Sequence, residues 1–155
     1  MDALVPARPA DDIAVLIART RVLPERHVTS WQLPLEATAA ARARALVAGK
    51  LTEWALEHLA FSTELIASEL VTNAYRYASG PMTLRLIRER SLVCEVSDGS
   101  HTAPHLRRAR TTDEGGRGLF LVAQMAERWG TRYSREGKTV WTEQPLHGAQ
   151  GSPQV

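Results

Sequence analysis

The sequence contains one cysteine, two lysines and no long apolar run. The scarcity of cysteine and the lack of a long apolar run each exclude a class of protein. With Cys94 as its only cysteine, the chain forms neither a disulfide framework nor a cysteine-based metal site, which fits a reducing compartment. No stretch approaches the roughly 20 apolar residues of a membrane span, and the first residues lack the basic start of a secretory leader. We therefore expect a cytoplasmic protein without a membrane partner.

The charge is nearly balanced, since 19 basic and 17 acidic residues give a formal net charge of +2. The basic residues are almost all arginine, and the only lysines are Lys50 and Lys138. This excess is compatible with an anionic ligand but too small to indicate direct binding of nucleic acid. A length of 155 residues with 44% hydrophobic residues is ordinary for one domain around a single core.

The order of the periodic segments predicts the fold class. Residues 1–28 and 147–155 are predicted to be a flexible arm and a disordered tail around a domain at 29–146. The predicted elements are a strand at 29–36, helices at 36–47, 51–59 and 61–78, a β-hairpin at 82–87 and 92–97, a helix at 118–125, and strands at 129–134 and 139–143. Gly49 is predicted to end the first helix, and residues 135–138 to form the last hairpin turn. Helices followed by strands favour an α+β two-layer sandwich, whose mixed, mostly antiparallel sheet carries helices on one face.

The predicted helix at 61–78 carries two polar residues on the side of its apolar stripe. Its apolar residues, Ile66 among them, recur at the three- and four-residue spacing that keeps side chains on one face. At about 100° per residue, Asn73 lies roughly 20° around the helix from Ile66, and Glu69 lies roughly 60° from it. An amide and a carboxylate at these positions are costly unless something binds them. The alternative is structural: a glutamate at the rim of the stripe and an asparagine that caps a neighbour.

The second informative stretch is Gly115-Gly116-Arg117-Gly118, which opens the helix at 118–125 after a long polar loop. Glycines let a backbone approach a ligand, and the free amides of a helix N-terminus favour an anion such as phosphate. A tight turn explains the same glycines equally well. A P-loop and a Rossmann fingerprint are both excluded, because the glycines of this sequence do not have the required spacing and context.

Asp98 ends the second strand of the predicted hairpin, immediately before Gly99. A carboxylate at this position is able to accept a hydrogen bond from an exocyclic amine such as that of adenine. An aspartate that closes a turn on its own backbone fits the sequence equally well.

These motifs are more specific in combination than alone. Their order is Glu-x-x-x-Asn on a helix, a strand that ends in Asp-Gly, a loop that ends in Gly-Gly-Arg-Gly-Leu, and a strand that starts with Gly-Lys-Thr. This order, in the segments ELVTNAYRYA, VSDGS, EGGRGLFLV and GKTVW, resembles the GHKL (Bergerat-fold, histidine kinase-like) ATPase domain. It is most similar to the small anti-sigma factor serine/threonine kinases related to RsbW and SpoIIAB, in the form abundant in actinomycetes. The resemblance covers about residues 31–146.

The resemblance implies a role for each matching residue. Asn73 would ligate a Mg²⁺ that bridges the phosphates of ATP, and Glu69 would be the catalytic residue that orients or deprotonates the attacking hydroxyl. Asp98 would bind the amino group of adenine, with Thr139 supporting this contact through water, and Gly99 would be a further ATP-binding residue. The other ATP-binding residues would hold or cap the phosphates: Gly116, Arg117, Gly118 and Leu119.

The resemblance also implies a function and partners. The protein would be a Mg-ATP-dependent protein serine/threonine kinase that acts as an anti-sigma factor, with residues 101–114 as a mobile lid over the nucleotide. Its partners would be a STAS-type anti-sigma factor antagonist, which it phosphorylates, and a sigma factor. A homodimer is compatible with this function.

Two departures from the family pattern motivate an alternative. The family's first glycine box is Asp-x-Gly-x-Gly, whereas Asp98-Gly99-Ser100 is followed by no second glycine, and Tyr77 stands where many relatives have histidine. The alternative is a catalytically weak or inactive binding module of the same fold, which regulates its partners by contact. A nucleic-acid binder that uses the arginines of residues 107–117 has only their charge in its favour.

Overall fold

The structure, a computed structural model, describes residues 22–77, 80–101 and 118–147. The helices are α1 (Ala39–Glu53), α2 (Ala60–Tyr77) and α3 (Gly118–Met125). The strands are β1 (Val28–Leu33), β2 (Met82–Arg88), β3 (Ser91–Asp98), β4 (Arg128–Ser134) and β5 (Gly137–Pro145). Short 3-10 turns at Glu25–His27 and Glu57–Leu59 precede β1 and α2. The predicted arm, lid and tail fall largely on residues 1–21, 102–117 and 148–155, which lie outside the described residues.

The five described strands form one sheet in the order β1-β2-β3-β5-β4, and every pair of neighbours is antiparallel. One hydrophobic core contains residues of all three helices and of one face of this sheet. The chain therefore has the predicted α+β architecture of a sheet packed with helices in a two-layer sandwich.

The face of the sheet that packs against the helices is called here the inner face. Its buried residues alternate along β2, β3 and β5 as the sequence predicts: Met82, Leu84, Leu86, Leu92, Cys94, Val96 and Val140. The start of α2 is fixed to β5 by Thr63, whose hydroxyl donates a 2.9 Å hydrogen bond to the side-chain oxygen of Gln144. The opposite, outer face carries the intervening residues, including Arg85, Glu95 and Trp141.

α1 runs through Gly49, so the prediction that this glycine ends the helix is wrong. Its buried residues recur every four positions: Ala39, Ala43, Val47 and Leu51. The packing of this face outweighs the roughly 1 kcal/mol that a glycine costs inside a helix. The helix ends instead at Glu53; beyond its cap, Ala55 has a left-handed φ of 55°, and the N–H of Leu56 donates to the carbonyl of Leu51 over 2.8 Å. This is a Schellman motif in which alanine takes the place usually held by glycine.

β1 is shorter at its end than predicted. It stops at Leu33 because Pro34 has no backbone N–H to continue the ladder, and Leu35, predicted to lie in the strand, is exposed. The strand lies at one edge of the sheet, as expected beside a proline. None of the helices in the described ranges is both long enough and apolar enough to span a membrane.

Candidate functional site

Glu69 and Asn73 lie one turn apart on α2, and both side chains are half-buried. Arg44 of α1 donates a 2.8 Å hydrogen bond to Ser68, so α1 covers a flank of α2 that is about 140° around the helix from Asn73. Within the described residues, neither Glu69 nor Asn73 makes a side-chain hydrogen bond or an ion pair. Both side chains therefore remain available to a ligand.

The end of α2 and the end of β3 lie at the same end of the fold. Four residues separate Tyr77 from Met82, so the last turn of α2 lies within about 18 Å of the start of β2. β2 is antiparallel to β3, and its start lies beside the end of β3, where Asp98 is placed. The topology thus brings Asn73 and Asp98 to one end of the two-layer structure.

Asp98 is already bonded to neighbouring groups. Its Oδ1 atom lies 3.3 Å from Nζ of Lys138 and accepts a 2.8 Å hydrogen bond from the backbone N–H of Ser100. Lys138 also donates a 3.2 Å hydrogen bond to the hydroxyl of Ser100. Both charged side chains are 1% exposed, so this is a buried ion pair. The bond from Ser100 is the local turn closure that the sequence offered as the structural role of Asp98.

Thr139 does not face Asp98 directly across the two strands, and its water-mediated support of the adenine contact stays a prediction. The register of β3 and β5 pairs Asp98 with Lys138 and Ser97 with Thr139. Successive residues of a strand point to opposite faces, so Thr139 lies on the outer face, where its hydroxyl is 2.8 Å from that of Ser97. The residue that faces Asp98 from β5 is Lys138.

The sequence does not indicate Lys138 as a site residue, because its composition predicts the last hairpin turn over residues 135–138. The turn consists of Arg135 and Glu136 alone, and β5 begins at Gly137. A signal for the correct assignment is present in the sequence. Counting back in steps of two from Val140, which is buried in the core, puts Lys138 on the same inner face.

A polar cavity of about 310 Å³ opens at this end of the sheet. Three of the predicted ATP-binding residues contribute to its lining: Asp98, Gly99 and Thr139. Lys138 and Glu136 also line it, whereas Glu69 and Asn73 do not. The cavity therefore adjoins only the strand residues of the candidate site.

The predicted phosphate-binding loop is described only in part. Gly116 and Arg117 lie outside the described residues. α3 is described from Gly118 onwards, and it packs against α2. Val122 of α3 is buried in the core and fixes the helix there. The backbone at Gly118 and Leu119 is consequently held next to the helix that carries Glu69 and Asn73.

The helix residues of the site suit a magnesium nucleotide. Mg²⁺ takes oxygen ligands and is commonly bound through one or two protein groups together with substrate phosphates, and Asn73 and Glu69 supply an amide and a carboxylate from one helix. The described parts of the chain contain no group of three acidic, histidine or cysteine side chains that would hold a metal without such phosphates. The strand residues suit a nucleotide less well, because Asp98, the acceptor expected for the amino group of adenine, is already paired with Lys138.

Comparison with known proteins gives one result at the level of the family. A search of curated proteins finds no significant match to the chain. The family model for the histidine kinase-like ATPase domain matches residues 31–143, which include all three helices, all of β2, β3 and β4, and most of β5. This family implies ATP binding, with phosphotransfer or ATP hydrolysis as the reaction. The chain therefore belongs to the histidine kinase-like ATPase domain family, and ATP is the nucleotide that this membership implies.

Proposed function

We propose that the chain is a Mg-ATP-dependent protein serine/threonine kinase that acts as an anti-sigma factor. Its substrate is a STAS-type anti-sigma factor antagonist, and its second partner is a sigma factor. The observation that supports the proposal is the pair of Glu69 and Asn73, which are half-buried, lie one turn apart on α2 and are not engaged by other described side chains.

The two side chains have separate roles in this proposal. The amide oxygen of Asn73 is a ligand for Mg²⁺, while the carboxylate of Glu69 orients the acceptor hydroxyl of the antagonist and accepts its proton. Residues four apart stack on one helix face, so a single rigid element positions both groups. When bound, Mg-ATP supplies the phosphoryl group and neutralises charge during its transfer.

Phosphorylation also provides the step that separates the proteins. A phosphate adds about −1.5 to −2 charges to the antagonist, and an interface that fits the neutral hydroxyl then contains an uncompensated anion. The phosphorylated antagonist dissociates for this reason. The kinase is then free to bind the sigma factor.

The buried ion pair of Asp98 and Lys138 favours a second candidate function. If the ammonium stays on this carboxylate, the base of a nucleotide meets an acceptor whose charge is already paired, and nucleotide binding is weak or absent. The protein would then be a binding module of the same fold that controls its partners by contact alone.

The direct test is transfer of radiolabelled γ-phosphate from ATP to a panel of purified STAS-type antagonists from the organism that encodes the chain. The wild-type protein should label one antagonist in the presence of Mg²⁺. Glu69→Ala should bind ATP almost unchanged and abolish labelling. Glu64→Ala removes another half-buried carboxylate of α2, about 140° around the helix from Glu69, and should retain full labelling.

Two results would contradict the proposal in different ways. Labelling retained in Glu69→Ala removes this residue from the mechanism. A stable complex between the wild-type protein and an antagonist that ignores ATP and yields no labelled product favours the binding module.

A further inference from the structure

The buried ion pair of Asp98 and Lys138 lies where β3 ends and β5 begins, at the strand residues of the proposed nucleotide site. The two residues are direct cross-strand partners on the inner face of the sheet. Three polar contacts hold the arrangement: Nζ of Lys138 at 3.3 Å from Oδ1 of Asp98, the N–H of Ser100 at 2.8 Å from the same oxygen, and Nζ at 3.2 Å from the Ser100 hydroxyl.

We infer that Lys138 competes with the base of the nucleotide for Oδ1 of Asp98, so that a base which binds this oxygen must displace the ammonium. The inference rests on the proposed function, because it concerns the nucleotide site of the same kinase. It assigns to Lys138 the role of a residue that limits nucleotide affinity.

The competition follows from the chemistry of the two donors. The exocyclic amine of a base is neutral, whereas the Lys138 ammonium is charged, and contacts between two charged groups are stronger than those with one neutral partner. At 1% exposure of both side chains, water screens the attraction very little. A base that takes over the carboxylate thus replaces a stronger partner with a weaker one, and its affinity is lower for this reason.

The side chain of Lys138 is able to leave Asp98 without a rearrangement of the sheet. The long, flexible stem of lysine lets the charged end move while the backbone keeps its place in β5. Displacement of Lys138 therefore needs no change in the pairing of β3 with β5.

Calorimetric titration of Lys138→Thr and Lys138→Met with adenosine, ADP and ATP tests the inference. Both variants should bind all three ligands at least about tenfold more tightly than the wild-type protein. Lys50→Met is the matched control, because Lys50 is the only other lysine and its ion pair with Glu53 is on the surface, so its affinities should equal those of the wild type. If Lys138 instead bound the phosphates, its removal would weaken ATP and ADP and leave adenosine unchanged, which would overturn the inference.

Chemical acetylation of the wild-type protein, measured by mass spectrometry, is a second test that does not depend on whether a variant folds. Without nucleotide, Lys138 should be protected and Lys50 reactive. At saturating Mg-ATP, Lys138 should become reactive while Lys50 stays as it was. Equal protection of Lys138 with and without bound ATP would overturn the inference.

Failure of this inference is distinguishable from failure of the proposed function. Nucleotide binding that is unchanged in both Lys138 variants overturns only the role of Lys138. Tighter binding in the variants without phosphotransfer supports the role of Lys138 and contradicts the kinase. No binding by the wild type or either variant at millimolar nucleotide overturns both.

Discussion

Gly137 lies directly against the backbone of Asp98. A Cβ atom added to Gly137 would overlap the carbonyl oxygen of Asp98 and stand 2.8 Å from Cα of Gly99. The φ of Gly137 is 144°, a value that residues with side chains rarely adopt. This close approach lets β5 begin beside the end of β3, and it sets the position of Lys138 opposite Asp98.

Gly137→Ala should destabilise the protein by at least about 2 kcal/mol, because it combines an unfavourable φ with a collision against fixed backbone. For a chain of this size, that loss lowers the midpoint of thermal unfolding by roughly 4–8 °C. Gly49→Ala is the control, since Gly49 lies inside α1 with open space around it, and the change should stabilise the protein by about 0.5–1 kcal/mol. Thermal unfolding of the two variants in parallel checks both values. Equal effects in the two variants would contradict the close contact at Gly137.

Glu95 on the outer face is 2% exposed and is paired with two arginines. Its carboxylate oxygens lie 3.1 Å from Nη1 of Arg85 and 2.6 Å from Nη2 of Arg132. Arg85→Ala or Arg132→Ala should each cost about 1 kcal/mol, because one partner remains and both arginines are partly exposed. The double variant leaves the buried carboxylate without either partner, and its cost should exceed the sum of the single costs by about 1 kcal/mol or more. Urea unfolding measures all three free energies, and simple additivity would contradict the shared role of Glu95.

Burial and, as the smaller cause, the neighbouring Glu95 carboxylate together raise the pKa of the Cys94 thiol from 9.0 to about 12. Below pH 9 the thiol is protonated in both states and has no effect on the pH dependence of stability. Between pH 9 and pH 12 the unfolded chain loses this proton and the folded chain keeps it, so folding stability falls as pH rises. The free energy of unfolding of the wild type minus that of Cys94→Ala should therefore fall from pH 8 to pH 10, by at most about 1.4 kcal/mol per pH unit above pH 9. The same difference at both pH values would contradict the burial of this thiol.

Much of the architecture is predictable because the apolar periodicity of the chain is strong. The alternation in β2 and β3 and the stripe along α2 predict those elements to within one or two residues, and the spacing of Glu69 and Asn73 predicts their common side of the helix. The end of α1 is harder to predict, since the packing of its buried face outweighs the cost of Gly49. The sequence did contain a signal, because the apolar residues of α1 continue past this glycine at the same spacing.

The positions of the site residues on β3 and β5 depend on the pairing of strands that are distant in the sequence. Local sequence patterns do not predict this pairing. Gly137 and Lys138 have the composition of a turn, and only the pairing of β5 with β3 shows that Lys138 faces Asp98. One residue of register decides whether Lys138 or Thr139 meets this carboxylate, because side chains alternate between the two faces. Thr139, which the family resemblance implies at the adenine contact, lies on the other face beside Ser97, and its contact with the nucleotide through water stays a prediction.

Calorimetric titration with Mg-ATP tests most directly the central claim that α2 holds the metal of the nucleotide. The wild-type protein should bind ATP saturably and require Mg²⁺. Asn73→Ala should bind at least about tenfold more weakly and lose its dependence on Mg²⁺, because the amide ligand is gone. Thr72→Ala, at the adjacent half-buried position about 100° around the helix, should bind as the wild type does. Unchanged affinity and Mg²⁺ dependence in Asn73→Ala, or no saturable binding by the wild type at millimolar ATP, would contradict the account.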